Sequence, residues 1–94
     1  MTGLKWLPEV LEDLQRLYEF IEPHSQSAAL RAVDTLVAAA ESLQAFPDKG
    51  RVWEEEPSFR ELPVSFGAKG YVIRYRLYED TVFIVRVWYA LEDR

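Results

Sequence analysis

The side chains best equipped for chemistry in this sequence are arginines. Arg74, Arg76 and Arg86 fall on one set of alternating positions in two segments rich in Val, Ile, Tyr, Phe and Trp, with Arg60 and Lys69 as further candidates. Guanidinium groups in such a setting bind an acidic partner or stabilise a phosphorane during RNA cleavage. Little else accompanies them. The chain has one histidine, His24, and no cysteine, and no nucleophile elbow lies near His24. Glu9, Glu12, Asp13 and the run Glu54-Glu55-Glu56 lack the spacing of a metal site or a paired carboxylate. Gly67 and Gly70 read as turn residues, not as a phosphate loop. The expectation is either the plain solvent side of a one-sided sheet or a surface that binds, with no cofactor and no metal.

The arginines ride on Gly70–Tyr89, which has the signature of a β-hairpin. Alternation places Tyr71, Ile73, Tyr75 and Leu77 on one face and Val72, Arg74, Arg76 and Tyr78 on the other. In the second segment Phe83, Val85, Val87 and Tyr89 form an apolar set opposite Val82, Ile84, Arg86 and Trp88. The apolar sets share a face only across an odd-length loop, so the reading is a three-residue loop Glu79-Asp80-Thr81. Arg74 then lies opposite Arg86, a like-charge pair that Glu61 is placed to offset.

The remaining elements must cover the apolar face. Leu4–Leu7 reads as a strand ended by Pro8, which suits the first turn of a helix. Val10, Leu11, Leu14, Leu17, Tyr18 and Ile21 keep helical spacing until Pro23. A second helix starts at Ser25 or Ser27, carries Leu30, Val33, Val37, Ala40 and Leu43 (or Phe46) at helical spacing, and ends before Pro47 and Gly50. Residues 47–57 read as a solvated connector and Phe59–Phe66 as a strand, with Pro63 at an edge or a bulge. The order is β-α-α-β-β-β: an α+β, two-layer domain spanning residues 1–94, with a helical hairpin on a small, mostly antiparallel sheet.

Composition narrows the function classes. The net charge of −5 argues against direct sequence-specific nucleic-acid binding by the chain alone. Residues 1–48 hold three basic and eight acidic side chains, whereas residues 49–94 hold eight of each. Glu9, Glu12, Asp13, Glu19 and Glu22 read as helix-start and solvent-face residues, or as a surface that receives a basic segment of a partner. No apolar run approaches the ~20 residues that span a membrane. Absence of cysteine and of an export signal points to the cytoplasm.

The ordered set Trp6, Glu12-Asp13-Leu14, Leu43-Gln44-Ala45-Phe46-Pro47, Gly50, Phe59-Arg60-Glu61-Leu62, Tyr71-Val72-Ile73-Arg74-Tyr75-Arg76 and Arg86-Val87-Trp88-Tyr89 resembles the RelE/ParE superfamily of toxins from type II toxin–antitoxin systems. The similarity is greatest to the ParE (plasmid stabilisation) branch. It implies a toxin neutralised by a cognate antitoxin, expected to be of ribbon-helix-helix type. ParE-like members poison DNA gyrase; RelE-like members cleave mRNA on the ribosome. Many relatives close with a histidine and a basic tail, whereas here Tyr89 and Ala90-Leu91-Glu92-Asp93 stand there. The resemblance therefore favours a gyrase-binding toxin in which Arg60, Arg74, Arg76, Arg86 and Trp88 contact target or antitoxin. The alternatives are a ribonuclease using Arg60, Arg74, Arg86 and Tyr89, or a non-toxic remnant that only binds antitoxin.

Overall fold

A computed structural model describes residues 2–91. Two helices pack on a five-stranded mixed sheet, an α+β arrangement in two layers. In chain order the elements are β1 (Gly3–Trp6), α1 (Pro8–Ile21), α2 (Gln26–Ser42), β2 (Arg51–Val52), β3 (Arg60–Val64), β4 (Tyr71–Tyr78) and β5 (Thr81–Tyr89). The sheet order is β1-β5-β4-β3-β2, antiparallel except that β1 runs parallel to β5. The connector expected to be wholly loop contributes the two-residue β2. That strand covers only Arg60 and Glu61, so Pro63 sits on a stretch of β3 where no outer neighbour needs its missing N–H.

The helix starts follow local chemistry. Pro8 opens α1, and Glu9 sits in its first turn, at the positive end of the dipole. Ser25 caps α2, its hydroxyl accepting the Ala28 N–H at 3.1 Å. The buried stripes are narrower and differently phased than the spacing predicts. Val10 and Leu17 are buried, but Leu11 is exposed. On α2 the buried residues are Ala29, Ala32, Leu36 and Ala40, with Leu43 just beyond, while Leu30 is exposed. Small alanines bring this helix close to its neighbours, so bulk is a poor guide to which face turns inward.

The hairpin corrects the expected loop. The turn has two residues, Glu79 and Asp80, both left-handed (φ 48° and 61°), and Tyr78 pairs with Thr81. This is the φ pattern of a type I′ turn, whose twist matches the flanking strands. Arg76 does lie opposite Phe83, but the parity is repaired further on. A bulge at Val85 makes Tyr75 pair with Ile84 and Arg74 with Arg86. Val82 and Ile84 are therefore in the core with Val87, and Phe83 is not. Ile84, expected on the arginine face, is fully buried.

Candidate functional site

The sheet face away from the helices is built in pairs. β4 supplies Arg74 and Arg76, β3 supplies Glu61 and β5 supplies Trp88. Glu61 is the cross-strand partner of Arg74, and its Oε2 accepts from Arg74 Nε at 2.9 Å and from Nη2 at 2.7 Å. The guanidinium is also flanked by two indoles, Trp53 at 3.6 Å and Trp88 at 4.8 Å. Such stacking is worth ~0.5–2 kcal/mol as the cation is desolvated. Arg76 lies over Phe59 at 5.8 Å and Tyr78 at 5.1 Å, with no carboxylate partner among the described residues.

Trp53 and Phe59 reach this face because their connector is folded, not solvated throughout. Trp53 N–H donates to Phe59 O at 3.0 Å, and Glu56 N–H to Trp53 O at 3.1 Å. The rings meet edge to face, 6.3 Å between centroids. Trp53 was not among the residues singled out from sequence. Its signal was present: two large aromatics bracketing the charged run Glu54-Glu55-Glu56 belong to a strap that covers something.

Arg86 does not join this surface. It turns to α1, where Asp13 Oδ2 accepts from its Nε at 2.8 Å and Oδ1 from its Nη2 at 3.1 Å. Asp13 Oδ2 also accepts the Val87 N–H at 2.9 Å, and Oδ1 accepts from Arg16 at 2.9 Å. β1 pairs with β5 only as far as Ile84, so Asp13 satisfies the strand edge beyond it. Read from sequence as a solvent-face residue, Asp13 is instead 2% exposed. Burial alone would raise its pKa; the hydrogen bonds from Arg86, Val87 and Arg16 outweigh that and hold it below its ordinary value.

Arg60 is spent on a loop. It donates to Gly50 O at 2.8 Å, while Gly50 N–H donates to the Tyr75 hydroxyl at 2.8 Å and that hydroxyl donates to Pro47 O at 2.7 Å. Gly50 is required there, because a Cβ would stand 2.7 Å from the Tyr75 hydroxyl. Tyr89 lies on the opposite face of the sheet from Arg74. It pairs with Tyr71, their ring centroids 5.7 Å apart, and lines an apolar recess with Leu17, Phe20 and Phe66. The expected arginine surface thus divides into the stacked Arg74–Arg76 ladder, the half-buried Arg86 fork on a buried Asp13 and the Arg60 loop clamp. His24 sits exposed in the turn after α1.

The family model for the ParE toxin of type II toxin–antitoxin systems, parDE, matches residues 4–94. The chain belongs to the ParE toxin family. Among curated relatives, Toxin RelE3 of Caulobacter vibrioides is 42% identical over 94 residues, covering 100% of both chains. Toxin RelE1 of the same organism is 39% identical over 82 residues, covering 87% of this chain and 86% of its own. Among solved structures, a chain of the chromosomal ParDE system from P. aeruginosa superposes with a TM-score of 0.79. It covers 96% of this toxin and 97% of its own chain, at 24% identity, a likeness of fold. Membership of a type II system implies a cognate antitoxin as partner. No helix among the described residues is long and apolar enough to cross a membrane.

Proposed function

We propose that this toxin acts in the cytoplasm by binding a protein target, DNA gyrase, and is held inactive by an antitoxin of the ribbon-helix-helix type. The observation that carries the reading is the separation of the residues a nuclease would need together. Tyr89 stands beside Tyr71 on the helix-covered face, Arg74 is stacked and paired on the other, and Arg86 is tied to Asp13. Three such groups do not face one phosphate, and the carboxylates beside Arg74 and Arg86, Glu61 and Asp13, are held in ion pairs and not free for proton transfer. What the outer face offers is an exposed Tyr78 with Trp53, Arg74 and Arg76 half-buried beside it, backed by a buried Trp88, and Trp, Tyr and Arg are the residue types that dominate protein-binding hot spots. Production of the toxin without antitoxin should arrest growth and induce the DNA-damage response. Arrest with intact gyrase activity and cleaved mRNA would sink the reading.

The RelE names of the curated relatives favour a second reading, ribosome-dependent mRNA cleavage. Purified toxin added to ribosomes programmed with mRNA separates the two. Cuts at the A site would support cleavage, and their absence at high toxin concentration counts against it. Harmless overproduction with antitoxin binding intact would identify a remnant that has lost its target.

A further inference from the structure

The strap between β2 and β3, residues 53–59, is closed on itself and lies across the outer face. Backbone hydrogen bonds fold it: Trp53 N–H to Phe59 O, Glu56 N–H to Trp53 O, and Phe59 N–H to Glu56 O at 2.9 Å. A compact loop with joined ends moves as a unit. Its base is fixed, because Arg60 donates to Gly50 O and the Tyr75 hydroxyl accepts the Gly50 N–H. Its body is not. Residues 54–58 are all exposed, and neither Trp53 nor Phe59 belongs to the core cluster. β2, which leads into it, has two exposed residues, paired with Arg60 and Glu61.

Aromatic stacking holds the strap down. Trp53 lies 3.6 Å from the Arg74 guanidinium, and Phe59 lies 5.8 Å from that of Arg76. Glu54, Glu55 and Glu56 form no ion pair with either arginine among the described residues, so charge does not lock it. A segment with few buried apolar contacts and an exposed backbone opens locally, without global unfolding. Arg74 does not depend on the strap for its position. Glu61 accepts two hydrogen bonds from it, and Trp88 lies 4.8 Å away on the sheet itself.

We propose that residues 53–59 are a hinged cover, in which Trp53 closes over the Arg74 guanidinium, and that the cover opens while the sheet stays folded. Closed, it withholds the Trp53 side of that cation. Open, it presents an Arg74 already oriented by Glu61 and Trp88. The role of the cover rests on the outer-face binding proposed above. A target that takes Arg74 must capture the open form, so its apparent affinity falls by the fraction of molecules that are open.

A glutamate-specific endoproteinase, applied to the intact toxin under native conditions, reads this opening at Glu54, Glu55 and Glu56, with the cut bonds identified by mass. Cutting there tracks the population of open molecules. Trp53→Ala and Arg74→Lys each remove the stack, the second keeping the charge, and each should speed cutting about two- to thirty-fold. Asp13→Asn, which weakens the domain at α1, should leave the rate unchanged. Equal rates in wild type and the stack variants, a rise in only one of those variants, or a rise in Asp13→Asn as large as theirs would each overturn the cover. If Trp53→Ala does not fold, Arg74→Lys decides alone. Against gyrase, Trp53→Ala should hasten the onset of inhibition, and an unchanged onset would overturn the gating role. Wild-type toxin that leaves gyrase uninhibited, with the cutting rates as expected, would fault the target reading and leave the cover standing.

Discussion

Asp13 and Arg86, 73 positions apart in the chain, meet in a two-bond fork at 2.8 and 3.1 Å that joins the middle of α1 to the bulge of β5. The same carboxylate accepts the Val87 N–H, so one buried residue closes an open strand edge and fixes the helix against it. Asp13→Asn keeps a carbonyl for Val87 but removes the charge facing Arg86, and should cost about 2–3 kcal/mol, less than a fully buried pair because Arg86 is partly exposed.

The fork also sets an acid limit. The folded pKa of Asp13 lies below the ordinary 3.8, so its contribution is complete above that value and is lost as pH falls through the lower folded one. Thermal unfolding of wild type and Asp13→Asn should therefore converge as pH drops below about 4. Curves that stay parallel through that range would show that the charge contributes nothing.

Tyr75 ties Pro47 and Gly50 together through one hydroxyl. Tyr75→Phe leaves the buried Gly50 N–H unsatisfied and should destabilise by about 1–3 kcal/mol. Gly50→Ala pushes a methyl into that ring and should cost about 1–3 kcal/mol. Denaturant unfolding measures both, with unchanged m-values expected.

Glu79 and Asp80 occupy left-handed backbone, which glutamate disfavours and aspartate tolerates less well than asparagine or glycine. Glu79→Asn/Asp80→Gly is the pair a type I′ turn prefers and should stabilise by about 1 kcal/mol, raising Tm by roughly 4–8 °C. A lower Tm would mean that the turn is held by its flanks and not by its own residues.

The Arg74 stack is separable from its ion pair. A double-mutant cycle on Trp53→Ala and Arg74→Lys should give a coupling of about 0.5–2 kcal/mol, since lysine keeps charge but loses the planar stack. Zero coupling would mean that the strap crosses the face without being held by it.

How much of this was legible in the sequence depends on which interaction decided each feature. Both helices, the strands β1, β3, β4 and β5 and the Arg74–Arg86 pairing follow from periodicity and punctuation, which are local; the two-residue β2 does not, since it carries no alternation to read. The loop length did not, because alternation fixes parity only in an unbroken ladder, and the bulge at Val85 restores by one extra residue what the two-residue turn removes. Leu30 faces solvent because the buried side of α2 is set by close approach, which Ala29 and Ala32 allow, and not by hydrophobic bulk. Asp13 and Trp53 were missed for a shared reason: an acid on a helix and an aromatic in a loop acquire meaning only from distant partners. The faint signals were an aspartate spaced between Val10 and Leu17, and a tryptophan beside a charged run.

Titrating purified toxin into a DNA gyrase supercoiling reaction decides whether the proposed binding of gyrase, and not RNA cleavage, is how this toxin acts. Inhibition with accumulation of cleaved DNA–gyrase complex is expected, weakened at least about ten-fold by Arg76→Glu on the outer face. Uninhibited gyrase, together with cleavage of ribosome-bound mRNA by the same preparation, would contradict it.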